Sequence, residues 1–324
     1  MSDKPSWSWQ KRDMGKLASV VGDIVFQALM PALPKDDLSF WVGRLMHVKL
    51  PEPLRVPALK AFVKAYDINT DEAEKPLEAY QSIGDLFIRK LKEDARPIGR
   101  GFVHPCDSKI AEAGVVKAGR LTQVKGITYT AEALLKSKEL GSLFEDGSFV
   151  TYYLCPTDYH RVHVPFDASV EEVHHIPGAF WPVNEWSVQN IDQLYAVNER
   201  MAMIFRTADG ERFALVMVAA TNVGAIRLAF DPRFDSTHRP SGRKGLKVRY
   251  GRDAWRSDPE RVSSLSEYID ADPIHLKKAD EAGLFAMGSS VVLLLDQNLS
   301  AKFQLSKAKL SSLVGRSVQV GQPI

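Results

Sequence analysis

Three short stretches of this sequence carry residue types able to do chemistry. The first is Tyr159-His160-Arg161-Val162-His163-Val164-Pro165, which follows the apolar run Phe149 to Leu154 and the turn Pro156-Thr157-Asp158. Imidazole accepts and returns a proton near neutral pH, so either histidine suits general acid-base work. Residues three apart on a strand face opposite sides, so His160 and His163 diverge unless a bend lies between them. One facing a site and one supporting it, or both reaching it through a distorted strand, are equally compatible with the spacing. The second stretch is His104-Pro105-Cys106-Asp107-Ser108-Lys109-Ile110. A carboxylate there can orient a histidine and stabilise its cation, or simply cap a turn. The third is Glu281-Ala282-Gly283-Leu284-Phe285-Ala286-Met287-Gly288-Ser289-Ser290, running into Val291 to Leu295. At a strained turn the Ser289 hydroxyl can attack the carbonyl of Gly288 and replace an amide by an ester. Left unstrained, the pair is an ordinary Gly-Ser turn.

Such residues need a scaffold. The chain has 324 residues, 45% hydrophobic and 25% charged, with a formal net charge of +2. This composition excludes a disordered chain and a coiled coil, and the length suits one large domain with an appendage or two domains. Cys106 and Cys155 are the two cysteines and stand in unrelated contexts, which provides no metal-ligand spacing and no disulfide framework and points to a reducing compartment. Past residue 100 the texture is of short β-branched and aromatic runs bounded by Gly, Pro or Asp. Strands are expected at Phe149 to Leu154, Arg161 to Val164, Val170 to Ile176, Met201 to Arg206, Phe213 to Ala219, Gly224 to Ala229, Val291 to Leu295 and Ser317 to Val320. Residues 130 to 144 read as one helix. The fold class is therefore α+β, with a helical region over residues 1–100 and a mainly antiparallel β domain over 101–324.

Before that domain, apolar residues recur at helical spacing from Met14 to Tyr66, predicting three short helices broken at Pro31 and Pro34 and at Pro51, Pro53 and Pro57. A further helix is expected from Ser82, with Asp85 completing a capping box, through Leu91 and ended by Arg96-Pro97-Ile98-Gly99. Residues 1–66 hold ten Lys or Arg against six Asp or Glu. Trp7, Trp9, Phe26, Phe40 and Trp41 are interleaved with Lys11, Arg12, Lys16, Lys35, Arg44 and Lys49, as in helices that lie on a membrane surface, although such helices also serve to cap a core. No secretory signal is evident, and the uncharged stretch Ile24 to Pro34 is too short to span a bilayer. From Asp231 to Val262 the sequence reads as a long basic loop with nine Lys or Arg and five Asp or Glu. It lacks the aromatic series, zinc pattern or helix-turn-helix of a nucleic-acid binder.

Taken together, the three stretches resemble the phosphatidylserine decarboxylase family, which carries a Gly-Ser-Thr or Gly-Ser-Ser site near its C-terminus, a Tyr-His-Arg-x-His motif and an upstream Pro-x-Asp-Gly segment. The counterparts are Gly288-Ser289-Ser290, Tyr159-His160-Arg161-Val162-His163 and Pro105-Cys106-Asp107-Ser108. The likeness extends to Pro177-Gly178-Ala179-Phe180 with Val183-Asn184, Asn198-Glu199-Arg200, Val218-Ala219-Ala220 with Val223-Gly224, and Arg96-Pro97-Ile98. Ser108 departs from the usual Gly, Ser290 and Met287 are mild substitutions for Thr and Leu, and Asp231 to Lys278 is longer than in compact members.

The resemblance implies a proenzyme that cuts itself between Gly288 and Ser289 into a large chain, 1–288, and a small chain, 289–324. His163, oriented by Asp107, is then the general base on Ser289, which becomes a covalent pyruvoyl cofactor. The ketone of that group would form a Schiff base with phosphatidylserine, and loss of carbon dioxide would give phosphatidylethanolamine. His160 is implied for the decarboxylation stage. Also implied are a membrane surface as partner and a peripheral place on the cytoplasmic face of a bacterial inner membrane; pairing into a homodimer is left open. Two other classes fit the same residues: a serine hydrolase with an Asp107/His163/Ser289 triad, and a lipid-binding module without chemistry.

Overall fold

The computed structural model of the protein describes residues 44–124, 126–220, 226–236, 245–251, 269–286 and 289–324. The expected first two helices of the N-terminal arm, with their interleaved aromatics, lie almost wholly in residues 1–43, outside the described residues. The third begins earlier than the prolines suggest. Helix α1 spans Glu52–Tyr66, with Pro51 as N-cap, Pro53 in its first turn and Pro57 inside it. The fixed φ of proline is already helical, so Pro57 removes one hydrogen-bond donor without ending the helix. Asp67, in the left-handed region at φ 51°, closes its C-terminus. Leu59 and Leu86 join Tyr80 in a small core of their own.

Helix α2 covers only Ile83–Phe87. Ser82 Oγ accepts the Asp85 N–H, and Asp85 accepts the N–H of Gln81 rather than that of Ser82. The helix stops short of Leu91 because the following backbone is used elsewhere. Leu91 bridges Ala73, Glu74 N donates to Lys90 O, and Lys92 N donates to Glu72 O. The Lys90 carbonyl and the Lys92 amide are thus committed across the bridge and not along a helix.

The β region follows: β1 Ser108–Val115, β2 Arg120–Val124, β3 Ile127–Thr130, α3 Ala131–Leu135, α4 Lys138–Ser142, β4 Ser148–Leu154, β5 Arg161–His163, β6 Ala168–Ile176, α5 Glu185–Asn190, α6 Leu194–Val197, β7 Arg200–Arg206, β8 Arg212–Val218 and β9 Ile226–Leu228. Then come β10 Leu246–Tyr250, β11 Ile269–Ala271, β12 Ile274–Leu276, β13 Glu281–Phe285, β14 Ser289–Leu295, α7 Gln297–Lys302, α8 Lys307–Leu313 and β15 Ser317–Val318. The single helix expected over 130 to 144 is two, because Lys136 turns left-handed at φ 52° and Ser137 caps the second. The expected loop from Asp231 contains β10, whose alternating Leu246, Val248 and Tyr250 mark a strand and which pairs with β6.

Among the described residues, ten strands form one sheet in the order β11-β10-β6-β7-β8-β14-β4-β1-β15, with β12 also paired to β6. Only the β10–β11 pairing in it is parallel. The centre is β14, where Val291 to Leu295 are fully buried between β8 and β4. A strand buried on both faces reads as an unbroken apolar run, which is what Val-Val-Leu-Leu-Leu is. A second sheet, β5-β13-β9, stands apart from it. Residues 155–160 cross from β4 to β5, and β13 ends at Phe285 shortly before β14 begins at Ser289. Since β4 pairs with β14 and β5 with β13, the two places where the chain passes between the sheets are neighbours. Among the described residues no helix is long and apolar enough to cross a membrane.

Candidate active site

The paired crossings bring the first and third sequence stretches together. Ser289 opens β14 opposite Leu154, and Ser290 stands between Tyr153 and Val218. On the other sheet, Glu281 is opposite His163 and Leu284 opposite Arg161, with a register shift between Glu281 and Gly283. Phe285 N then donates to the carbonyl of His160 at 3.0 Å. The second stretch joins from below, where His163 N donates to Pro105 O at 2.7 Å. Gly288 and the Ser289 side chain lie outside the described residues.

His160 is fully buried, and its ring packs on Phe87 with centroids 3.9 Å apart. Its Nδ1–H donates to the carbonyl of Asp158 at 2.8 Å, because a carbonyl can only accept. That leaves Nε2 with its lone pair, and this atom is buried without a partner. Burial pushes the imidazole down to about 3, so it is neutral at any physiological pH. A neutral imidazole with one nitrogen anchored and the other bare is an acceptor ready for a proton or a donor group.

His163 has both nitrogens engaged. Nδ1–H donates to Ala279 O at 2.7 Å, and Nε2 accepts from the Tyr159 hydroxyl at 3.1 Å, the two rings lying nearly parallel. Burial lowers its pKa below the usual histidine value, against the opposing pull of the Ala279 carbonyl and the charges of Glu281 and Asp107. His163 lines a cleft of about 370 Å³ with Tyr159, Ala279, Glu281, Arg96 and Val320.

Asp107 is not hydrogen-bonded to His163. Its carboxylate takes Arg96 Nε at 3.1 and 3.0 Å, Arg96 Nη2 at 2.5 Å and the Val320 N–H at 2.9 Å. Arg96 also bonds Glu72, through Nη1 at 2.9 Å and Nη2 at 3.0 Å, and so ties the segment after α2 to the catalytic sheet. The expected pairing of Asp107 with His163 is thus an influence through space, in which the negative charge favours protonation of the ring.

Two residues inside the motifs and one outside them take on parts that the motifs alone do not assign. Arg161 holds Glu281 through two contacts from Nη1, 2.8 and 2.7 Å, and donates from Nη2 to Ile88 O at 2.8 Å. It thereby fixes β5 to β13 and to the end of α2. Ser290 Oγ is buried without a partner beside the residue that opens β14. Arg89 is 2% exposed, and its place inside the apolar run Phe87-Ile88-Arg89-Lys90-Leu91 is a signal that periodicity alone passes over.

Comparison with known proteins gives this geometry a family. The family model for phosphatidylserine decarboxylase matches residues 83–324. A phosphatidylserine decarboxylase proenzyme of Anaeromyxobacter sp. (strain K) is 36% identical, covering 94% of this chain and 99% of that protein. One from Myxococcus xanthus (strain DK1622) is 37% identical over 85% of this chain and 91% of its own length, and one from Psychrobacter arcticus is 33% identical over 92% and 97%. The match spans α2 and every strand among the described residues, and the chain belongs to the phosphatidylserine decarboxylase family.

Proposed function

We propose that this protein is a self-processing enzyme that decarboxylates phosphatidylserine to phosphatidylethanolamine, using a pyruvoyl group made from Ser289. The observation that carries the reading is the meeting of the two crossings, with Ser289 opening β14 and Phe285 bonded to the backbone of His160. The relatives' designation as proenzymes agrees with a chain that is cut after synthesis.

In the cut, Ser289 Oγ attacks the carbonyl carbon of Gly288, the C–N bond breaks and an ester joins the two residues. His163 takes the hydroxyl proton. Its Nε2 is the nitrogen free of hydrogen, because Nδ1 keeps its proton on Ala279. The Asp107 charge steadies the resulting cation. β-Elimination then frees the Gly288 carboxylate, and hydrolysis releases ammonia. A second assignment rests on one observation: His160, not His163, is bonded to the Phe285 end of β13, so the first histidine is the nearer of the two along the strand to the cut.

The surroundings fit a pyruvoyl group at position 289, since two buried polar atoms without partners, Ser290 Oγ in β14 and His160 Nε2 just before β5, lie where the two sheets are joined. Once formed, the group supplies a ketone that captures the substrate amine and draws off the electrons released as carbon dioxide leaves. His160 Nε2, bare in the resting chain, takes a proton from the substrate ammonium as the amine reacts and returns it to the carbon that loses carbon dioxide, while Phe87 covers the ring. The aromatic and basic arm of residues 1–43 suits a peripheral position at the cytoplasmic face of a membrane, where the lipid is presented.

The test is product analysis with phosphatidylserine in detergent micelles. Equal amounts of carbon dioxide and phosphatidylethanolamine support the reading; release of free serine or fatty acid by an uncut chain would replace it with a hydrolase.

A further inference from the structure

Arg89 follows α2 by two residues, and its side chain is buried without being satisfied. The residue is 2% exposed, yet Nε and Nη1 have no partner, and Nη2 makes one long contact to Thr157 O at 3.4 Å. A guanidinium carries five N–H donors and stays charged in a protein. Leaving a charged donor unpaired inside a protein is unfavourable, because the group loses its water and gains nothing in return. The nearby carboxylates do not relieve it. Glu72 and Asp107 influence Arg89 through space but are bonded to Arg96, and Asp158, pushed by burial up to about 6, accepts the Cys155 N–H. Tyr80 also acts on it through space, as does Arg96.

Its position is informative. The Thr157-Asp158 turn that receives Arg89 Nη2 also receives the His160 Nδ1 proton, and Phe87, two residues before Arg89, covers the His160 ring. Arg89 and His160 are therefore held against the same turn, and the Arg89 charge helps keep the imidazole neutral. The main chain of Arg89 is fixed as well, since Arg161 Nε donates to its carbonyl at 3.3 Å. An unsatisfied cation held on the same turn as an unsatisfied imidazole is suited to an anion that arrives with the substrate.

Resting on the proposed decarboxylation of phosphatidylserine, we propose that Arg89 binds the phosphodiester of the lipid headgroup and sets the reacting carbon against His160. The headgroup offers two anions, and their fates differ. The carboxylate loses its charge as carbon dioxide forms, so a cation gripping it would hold the ground state more strongly than the transition state. The phosphodiester keeps its charge throughout, and binding it positions the substrate without opposing the reaction.

Two variants and two lipids test this: Arg89→Gln and Arg89→Lys, with phosphatidylserine as substrate and its carboxyl methyl ester as inhibitor in detergent micelles. Loss of a charge-assisted contact weakens binding by about 10- to 100-fold. Arg89→Gln should cut itself fully, raise KM for phosphatidylserine by that factor with kcat little changed, and raise Ki for the ester equally. Arg89→Lys should fall between the wild type and Arg89→Gln on both lipids. Should Arg89→Gln fail to fold, Arg89→Lys still decides through its KM and Ki taken separately, both of which should rise. A raised KM with an unchanged ester Ki overturns the proposal in favour of the carboxylate; unchanged KM and Ki in a folded variant reduce Arg89 to a structural role. Absence of decarboxylation in the wild type would instead remove the functional reading itself.

Discussion

The carbonyl of His160 accepts the N–H of Phe285 at 3.0 Å, while the ring of the same histidine keeps a buried Nε2 with no partner. One backbone contact therefore ties the first histidine of the Tyr-His-Arg-x-His stretch to the strand that leads into the cut. His163 is paired with Glu281, at the other end of that strand. The histidines themselves are three residues apart, on the order of 10 Å of extended chain. Division of labour between the histidines follows from this separation.

His160→Gln keeps the volume and the backbone contact but removes the bare imidazole nitrogen. Cleavage into two chains should survive, whereas carbon dioxide release should fall by about 10²- to 10⁴-fold, the worth of a positioned acid-base group. Mass spectrometry of the chains and a product assay on one sample check both halves. An uncut His160→Gln chain would favour the assignment of His160 to the cutting step.

The pH profile of self-cutting reports on His163. Its pKa in the folded chain is depressed by burial, so the neutral, proton-accepting form already dominates at pH 7. The cutting rate should be flat above pH about 6.5, the ordinary histidine value, and decline only as pH falls through the lower folded value. Timed gel analysis of freshly synthesised chain measures it. His163→Ala should abolish the process at every pH.

Glu281 faces Arg161 in a half-buried pair that joins the two motif strands. Glu281→Gln should lower stability by about 1.5–3 kcal/mol, the range for hydrogen bonds to charged groups, and slow the cut by loosening β13. Denaturant unfolding and the rate of chain appearance give the two values. An unchanged rate would confine the ion pair to stability.

The strands were legible where burial leaves a simple trace. Val291 to Leu295 is apolar without interruption because it is covered on both faces, and Phe149 to Leu154 is its neighbour. Helix limits were not, since Leu91 satisfies the spacing of α2 while the Lys92 amide and the Lys90 carbonyl bond to residues 72 and 74 across a bridge that no local pattern announces. Strand β13 was hidden inside the Gly-Ser stretch, where Gly283 lowers its strand character although a side chain there would strike Arg227 O at 2.6 Å. The chemistry-bearing residues could be named from motifs; the Arg96 bridge between Asp107 and Glu72 could not, because its partners are 11 and 24 residues away.

Self-cutting at one bond is the central claim, and intact mass of the purified protein beside its Ser289→Ala variant tests it most directly. The wild type should resolve into a large chain ending at Gly288 and a 36-residue small chain, the latter lighter by one ammonia than its sequence. Ser289→Ala should remain a single chain of 36.1 kDa, less one oxygen. A wild-type protein that releases carbon dioxide from phosphatidylserine while showing only the full-length mass would contradict the account.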